Sequence, residues 1–260
     1  MSRIAFVSGF YVYGGRVKMT PEQIFMFECL YDSAKKYFLK NHEVEFIFIT
    51  NSYSKIEGVN TIKIDKKITG YHEMLLMKIL CVDYLKDQYD YIFVNDGDQI
   101  FVDYINDDLL EHNFNIQRHF YNPAIDGVLE NLSPFVNIEC DRKNNHWTMG
   151  NFFGGKSDEF LRLLNKTKEY HERYKKFHNK DIGFYAIYPD EVFLVKYLNE
   201  ESVDYNWLKS ITIPGEVEGD FFVSDFQDDI NFYPNFTNVK LLHNTKKNLS
   251  VLKEIIKYYK

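Results

Sequence analysis

Residues 91–103 have the sequence YIFVNDGDQIFVD, which predicts both the class of the fold and the place of a ligand site. The stretch begins with four apolar residues, Tyr91–Val94, as is typical of a strand that is buried on both faces. Two carboxylates, Asp96 and Asp98, then flank a glycine before the apolar pattern resumes at Ile100. Such a pair can hold one divalent cation whose other ligands come from a diphosphate. The same residue types also form ordinary turns, so the motif alone leaves both interpretations open.

Strand and helix patterns alternate before this stretch. In chain order they predict a strand at 4–8, a helix from 20 to about 39, strands at 44–49 and 61–64, and a helix from 69 to about 87. This order is the pattern of a parallel, doubly wound α/β sheet. In such sheets ligands bind beyond the carboxyl ends of the strands.

Two groups of residues therefore fall at one predicted ligand-binding edge. Phe10 and Tyr11 follow the first strand as Asp96 and Asp98 follow the fourth, so we expect the two groups to share a site. The aromatic pair stands where a nucleotide base could stack, although a structural loop would also explain it. Lys78 lies on the second predicted helix, just before the acidic stretch, and is a further candidate for ligand binding.

Composition limits the classes of protein that the chain can represent. The 260 residues are 45% hydrophobic and 17% aromatic, which supports a large core. A net charge of −7 with interspersed signs argues against a nucleic-acid partner. The three cysteines lie far apart, so they predict neither a disulfide framework nor a zinc site. With no apolar stretch of membrane-spanning length and no leader pattern, we expect a cytoplasmic protein with no transmembrane segment.

The second half of the chain carries another acidic pair. Pro189 suits the first turn of a helix, and Asp190 and Glu191 fall in that turn, where the helix dipole favours carboxylates. This is ordinary chemistry for a helix start. The apolar residues that follow, Val192–Val195, predict that the helix start is buried, so its carboxylates need a partner or a function.

Four segments together resemble the retaining glycosyltransferases of family 6, the group of the blood-group A and B transferases and α-1,3-galactosyltransferase, including their short bacterial and phage relatives. The segments that match the family's motifs are, in chain order, Ser33–Phe38, Asp96–Phe101, Phe153–Gly155 and Asp190–Tyr197. The similarity covers most of the chain, from about residue 4 to residue 247.

The resemblance implies an α/β protein of the GT-A fold, with a Rossmann-like mixed sheet flanked by helices. Residues 1–260 would form a single catalytic domain, with a nucleotide-binding half at about 1–103, an acceptor and catalytic half at about 104–245, and a basic tail at 246–260. The implied activity moves galactose or N-acetylgalactosamine from a UDP-sugar to a glycan hydroxyl. The α configuration is retained, and an α-1,3 linkage is expected.

The resemblance also implies roles for individual residues. Asp96 and Asp98 would hold Mn²⁺ or Mg²⁺ against the UDP diphosphate, and Tyr11 would contact uracil. Glu191 would act as the nucleophile or would stabilise the oxocarbenium-like transition state. Asp190 would contact the donor sugar.

Further roles concern the sugar and the tail. Met149 and Asn151 would lie in the segment that distinguishes galactose from N-acetylgalactosamine, and Lys246 would close over the diphosphate. The chain departs from the family beside its second acidic pair, where two histidines and an asparagine are replaced. The replacing residues are Pro189, Phe193 and Val195. Both the donor and the acceptor therefore stay open.

Three other functions compete with this one. A GT-A transferase could use another donor or inverting chemistry. A nucleotidyltransferase that forms sugar nucleotides would share an α/β nucleotide site, but the first loop here, Gly9–Tyr11, lacks the expected cation. A non-catalytic carbohydrate-binding scaffold would use the aromatic residues without binding UDP.

Overall fold

The computed structural model describes residues 1–14, 17–119, 147–178, 189–201, 203–212, 221–226, 239–244 and 249–259. The strands in this part of the chain are β1 Arg3–Phe10, β2 Glu43–Thr50, β3 Asn60–Lys63, β4 Tyr91–Asn95, β5 Gln99–Phe101, β6 Phe114–His119, β7 Trp147–Lys156, β8 Tyr205–Thr212, β9 Phe221–Phe226 and β10 Val239–Asn244. The α-helices are α1 Pro21–Tyr37, α2 Tyr71–Leu80, α3 Ser157–His178, α4 Pro189–Glu200 and α5 Leu249–Tyr259.

Seven strands pair in the order β3-β2-β1-β4-β7-β6-β8, and the far half of β8 continues the hydrogen bonding to β9, β10 and β5. The first four strands of the chain pair in parallel, as the alternating pattern predicts. β7 is antiparallel to both of its neighbours, β4 and β6, and β5 is antiparallel to β10. The protein is therefore an α/β protein whose mixed sheet is flanked by helices. β6, β8, β9 and β10 are also parallel to their neighbours in that order, so β7 and β5 are the two antiparallel strands of the described sheet.

The sheet is buried on both faces, as the apolar run at Tyr91–Val94 predicts. Ile92 and Val94 face a core that α2, α3 and α4 cover. Phe93 points to the other face, where α1 covers a second core rich in phenylalanine. Each fully buried side chain of this size contributes about 1.5–3 kcal/mol. In the second core the ring of Phe38 lies with its centroid 5.0–6.3 Å from those of four others, Phe6, Phe93, Phe101 and Phe152.

The start of α1 is set by local hydrogen bonds. Thr20 Oγ1 accepts the backbone N–H of Gln23, and Gln23 Oε1 accepts the backbone N–H of Thr20, so the two residues form a capping box. The helix ends at Tyr37, two residues before the predicted end, because Phe38 is extended and pairs with Ile105.

The second predicted helix is shorter than its pattern suggests. The α-helical part is Tyr71–Leu80, and a 3₁₀ turn over Cys81–Leu85 follows. None of the described helices has the length and apolar character that crossing a membrane requires.

The pair Gly154-Gly155 lets β7 lie between its two neighbours. A β-carbon on Gly154 would lie 2.2 Å from the carbonyl oxygen of Ile92 in β4, and one on Gly155 would lie 2.1 Å from that of Asn113 beside β6. Larger residues would push the strands apart, so the two glycines allow the backbones of β4, β7 and β6 to approach closely.

Candidate functional site

A pocket of about 630 Å³ opens at the carboxyl ends of β1 and β4. Eight residues singled out from the sequence line it, namely Phe10, Tyr11, Lys78, Asp96, Asp98, Asn151, Asp190 and Glu191. Residues separated by up to 181 positions in the chain therefore meet in one cavity, and the shared site expected from the strand ends is present in the structure.

Backbone contacts place the acidic turn at the edge of this pocket. β1 and β4 run in parallel with Ser8 opposite Asn95, and the Ser8 hydroxyl donates to the Asn95 carbonyl at 2.7 Å. The next backbone N–H, that of Asp96, donates to the carbonyl of Asn151 in β7 at 2.9 Å. The turn is thus anchored on both sides by buried strands.

Lys78 lies at the centre of a charged cluster. Its ammonium is 2.7 and 2.9 Å from the two carboxylate oxygens of Asp96 and 3.2 Å from Oδ2 of Asp190. It also donates to the carbonyl oxygen of Gly150 at 3.2 Å. Burial lowers the pKa of Lys78, but the charges of Asp96 and Asp190 outweigh it and hold the pKa above its ordinary value, so the amine stays protonated.

Asp190 is the most buried carboxylate of the cluster. Its side chain is 3% exposed, and Oδ2 accepts the salt bridge from Lys78. The other oxygen, Oδ1, has no hydrogen-bond partner within the described part of the chain. A buried acceptor of this kind costs free energy unless a ligand donates to it. It is suited to a ligand hydroxyl.

Glu191, in the first turn of α4, is held by two residues of β7. The backbone N–H of Gly150 donates to Glu191 Oε1 at 3.2 Å, and the Thr148 hydroxyl donates to the Glu191 carbonyl at 3.2 Å. The first turn of α4 is thereby attached to β7. Because α4 begins at Pro189, both carboxylates of the second acidic pair fall in its first turn, as predicted.

Two aromatic side chains singled out from the sequence, Phe10 and Tyr11, also line the pocket. Tyr11 is only 5% exposed, and its hydroxyl lies beside the backbone of Gly9. Burial raises the pKa of the Tyr11 phenol, so the ring is neutral. Phe10 meets Phe27 of α1 edge to face, with the ring centroids 6.5 Å apart.

The oxygen donors at the acidic turn suit a hard divalent cation. Asp96 and Asp98 supply carboxylates, and the amide of Asn151 lines the same pocket. No group of three or more acidic, histidine or cysteine side chains among the described residues is arranged to hold a metal ion. Two carboxylates do not fill the coordination shell of such a cation, so a cation at Asp96 and Asp98 would need further oxygen ligands.

Two predicted residues are not placed in the pocket. Met149 belongs to β7, but its side chain lies outside the description, and Lys246 lies outside the described residues. Sequence reasoning missed the role of Gly150, whose N–H and carbonyl contact Glu191 and Lys78. The signal in the sequence was the position of Gly150 between two predicted site residues, Met149 and Asn151.

Two residues of the segment that resembles the family lie away from the pocket. The Tyr197 hydroxyl donates to Glu159 of α3. Lys196 donates to Glu200 and lies over the ring of Tyr170, with its ammonium 5.0 Å from the ring centroid. Both side chains join α4 to α3.

No protein-family model matches this chain, and no curated protein matches it. The function of the chain therefore has to be inferred from its own residues.

Proposed function

We propose that this protein is a retaining glycosyltransferase of the GT-A fold, related to family 6. It transfers galactose or N-acetylgalactosamine from a UDP-sugar to a glycan hydroxyl and forms an α linkage, expected to be α-1,3. A divalent cation, Mn²⁺ or Mg²⁺, assists the reaction. Its place of action is the cytoplasm.

One observation carries the proposal. The two acidic pairs, which lie far apart in the sequence, line one pocket at the carboxyl ends of parallel strands, and Lys78 joins Asp96 of the first pair to Asp190 of the second. A sugar nucleotide needs such a combination of metal-binding oxygens, a fixed cation and buried hydroxyl acceptors. The mixed sheet, with its parallel half leading to the acidic turn, is compatible with the GT-A fold.

Different residues would bind the diphosphate end and the sugar end of the donor. Asp96 and Asp98 would hold the cation, and a bound Mn²⁺ or Mg²⁺ supplies positive charge that neutralises the departing diphosphate. At the sugar end, Oδ1 of Asp190 accepts a hydroxyl of the donor sugar. Glu191 keeps a negative charge beside the sugar, as a nucleophile or as a stabiliser of positive charge that develops at its anomeric carbon. Tyr11 and Phe10 provide the apolar wall for the base.

Calorimetric titration of UDP into the purified protein, with and without Mn²⁺, tests the proposal. We expect UDP to bind in the presence of Mn²⁺, and we expect Asp98→Asn to abolish this Mn²⁺-dependent binding. Asp83→Asn is the matched control, because Asp83 is an exposed carboxylate that pairs with Lys168 outside the pocket.

The alternatives give different results. Absence of UDP binding with and without Mn²⁺ would contradict a UDP-dependent transferase and would favour a different donor or a non-catalytic carbohydrate-binding scaffold. Equal UDP affinity with and without Mn²⁺ would mean that lysines, instead of a metal, neutralise the diphosphate. If UDP binds, NMR analysis of the product anomer decides the chemistry, since a β product would exclude retention.

A further inference from the structure

Lys78 occupies both oxygens of the carboxylate that is expected to hold the metal. We propose that Lys78 and a divalent cation compete for Asp96, so that the cation binds firmly only when a diphosphate is present. The inference rests on the proposed function and adds a condition for metal binding to it.

The geometry puts the ammonium in the position of a chelated cation. Lys78 Nζ lies 2.7 Å from one oxygen of Asp96 and 2.9 Å from the other, so it is shared between the two. Its other contacts, Asp190 Oδ2 and the carbonyl oxygen of Gly150, are both at 3.2 Å. Three different acceptors therefore hold the ammonium in place.

This site is also well shielded from solvent. The side chain of Lys78 is 18% exposed, and that of Asp96 is 23% exposed. A buried ion pair is screened far less by water and salt than an exposed one, so a second cation at Asp96 would interact strongly with the ammonium.

Charge explains why a diphosphate changes the outcome. Of the described residues that line the pocket, Lys78 is the one cation, and four are carboxylates, namely Asp96, Asp98, Asp190 and Glu191. Even in water, a divalent cation about 6 Å from an ammonium is repelled enough to weaken its binding about tenfold. A diphosphate attracts both cations and can draw the ammonium from Asp96 while it completes the metal's ligands.

The first experiment measures the binding of Mn²⁺ alone to the full chain, by electron paramagnetic resonance of the free ion, for the wild type and for Lys78→Gln. We expect Lys78→Gln to bind Mn²⁺ at least about tenfold more tightly, since a neutral amide neither repels the ion nor occupies both oxygens. We also expect UDP to raise the Mn²⁺ affinity of the wild type by a larger factor than that of the variant.

Controls separate competition from other effects of the substitution. Lys168→Gln removes an exposed lysine that pairs with Asp83, so it should leave Mn²⁺ affinity unchanged. When Lys78→Gln is combined with Asp96→Asn, the gain in Mn²⁺ affinity should disappear. Because Lys78→Gln leaves Asp190 buried without its cation, a second background, Lys78→Gln with Asp190→Asn, keeps the test valid if the single variant unfolds. It should show the same gain over Asp190→Asn alone.

Failure of this inference can be told apart from failure of the proposed function. Equal Mn²⁺ affinity with and without Lys78, or no binding by either protein, would overturn the competition. If the two proteins bind Mn²⁺ with equal affinity, metal-dependent UDP binding, and with it the proposed function, could still be observed. Conversely, tighter Mn²⁺ binding by Lys78→Gln in a protein that never binds UDP would support competition at Asp96 and would contradict the transferase.

Discussion

A β-carbon on Gly150 would lie 2.4 Å from Oδ2 of Asp190, the oxygen that bridges to Lys78. The segment 148–151 and the start of α4 are therefore packed so closely that any larger residue at position 150 would force the Asp190 carboxylate to shift. The absence of a side chain at Gly150 therefore allows Asp190 to reach Lys78.

Gly150→Ala should displace Asp190 from Lys78. We expect UDP-sugar affinity to fall by at least about tenfold and the free energy of unfolding to fall by about 1–3 kcal/mol, the usual cost of overpacking. Calorimetry and urea unfolding measure the two effects. The control is Gly70→Ala, because a β-carbon there would meet no atom within 4 Å. Unchanged UDP-sugar affinity in Gly150→Ala would mean that the Asp190–Lys78 contact is not needed for binding.

Glu191→Gln should separate binding from catalysis. The amide oxygen can still accept the N–H of Gly150, so the pocket and its affinity for UDP should be preserved. Loss of the charge should lower turnover by roughly two orders of magnitude or more. A kinetic assay of sugar transfer, compared with UDP titration, checks both parts, and near-normal turnover would remove Glu191 from the mechanism.

Tyr197→Phe should affect stability and not the site. Tyr197 is fully buried and donates to Glu159, a carboxylate that is only 5% exposed, so the substitution removes one donor from a buried acceptor. We expect the free energy of unfolding to fall by about 1–3 kcal/mol while UDP affinity stays the same. Urea unfolding and calorimetry measure these quantities. Tyr84→Phe, at a side chain that is 48% exposed, is the control and should have little effect on either.

The Cys81 thiol should be inert in the folded protein. Burial raises its pKa to about 12, so it is protonated and shielded near neutral pH. Iodoacetamide should label it only after unfolding, as mass spectrometry would show. Because the unfolded thiol ionises first, the free energy of unfolding should fall as the pH rises from about 9 to about 12, and by less in Cys81→Ala. Labelling of the folded protein at the unfolded rate would contradict this burial.

Local signals in the sequence determined the strands and helices of the first half of the chain, the start of α4 and most of the candidate residues. The capping box at Thr20 set the start of α1, Pro189 set the start of α4, and the apolar run at Tyr91–Val94 identified a strand buried on both faces. These features depend on neighbours within a few positions, so pattern and spacing are enough to find them. Asp96 and Asp190 stood out for the same reason, as carboxylates beside apolar runs.

Only the tertiary structure decided how these parts combine. The antiparallel insertion of β7 between β4 and β6 depends on pairing between distant segments, which no local pattern encodes. That insertion places Gly150 against the carboxylate of Asp190. Lys78 then forms salt bridges with Asp96 of the first acidic pair and Asp190 of the second. The sequence by itself identified Lys78 as a candidate. The packing of β7 and α4 adds Gly150 and Asp190 to Asp96 as acceptors of its ammonium. Lys78 is 18 positions from Asp96 and 112 from Asp190, so no local pattern shows that all these groups meet.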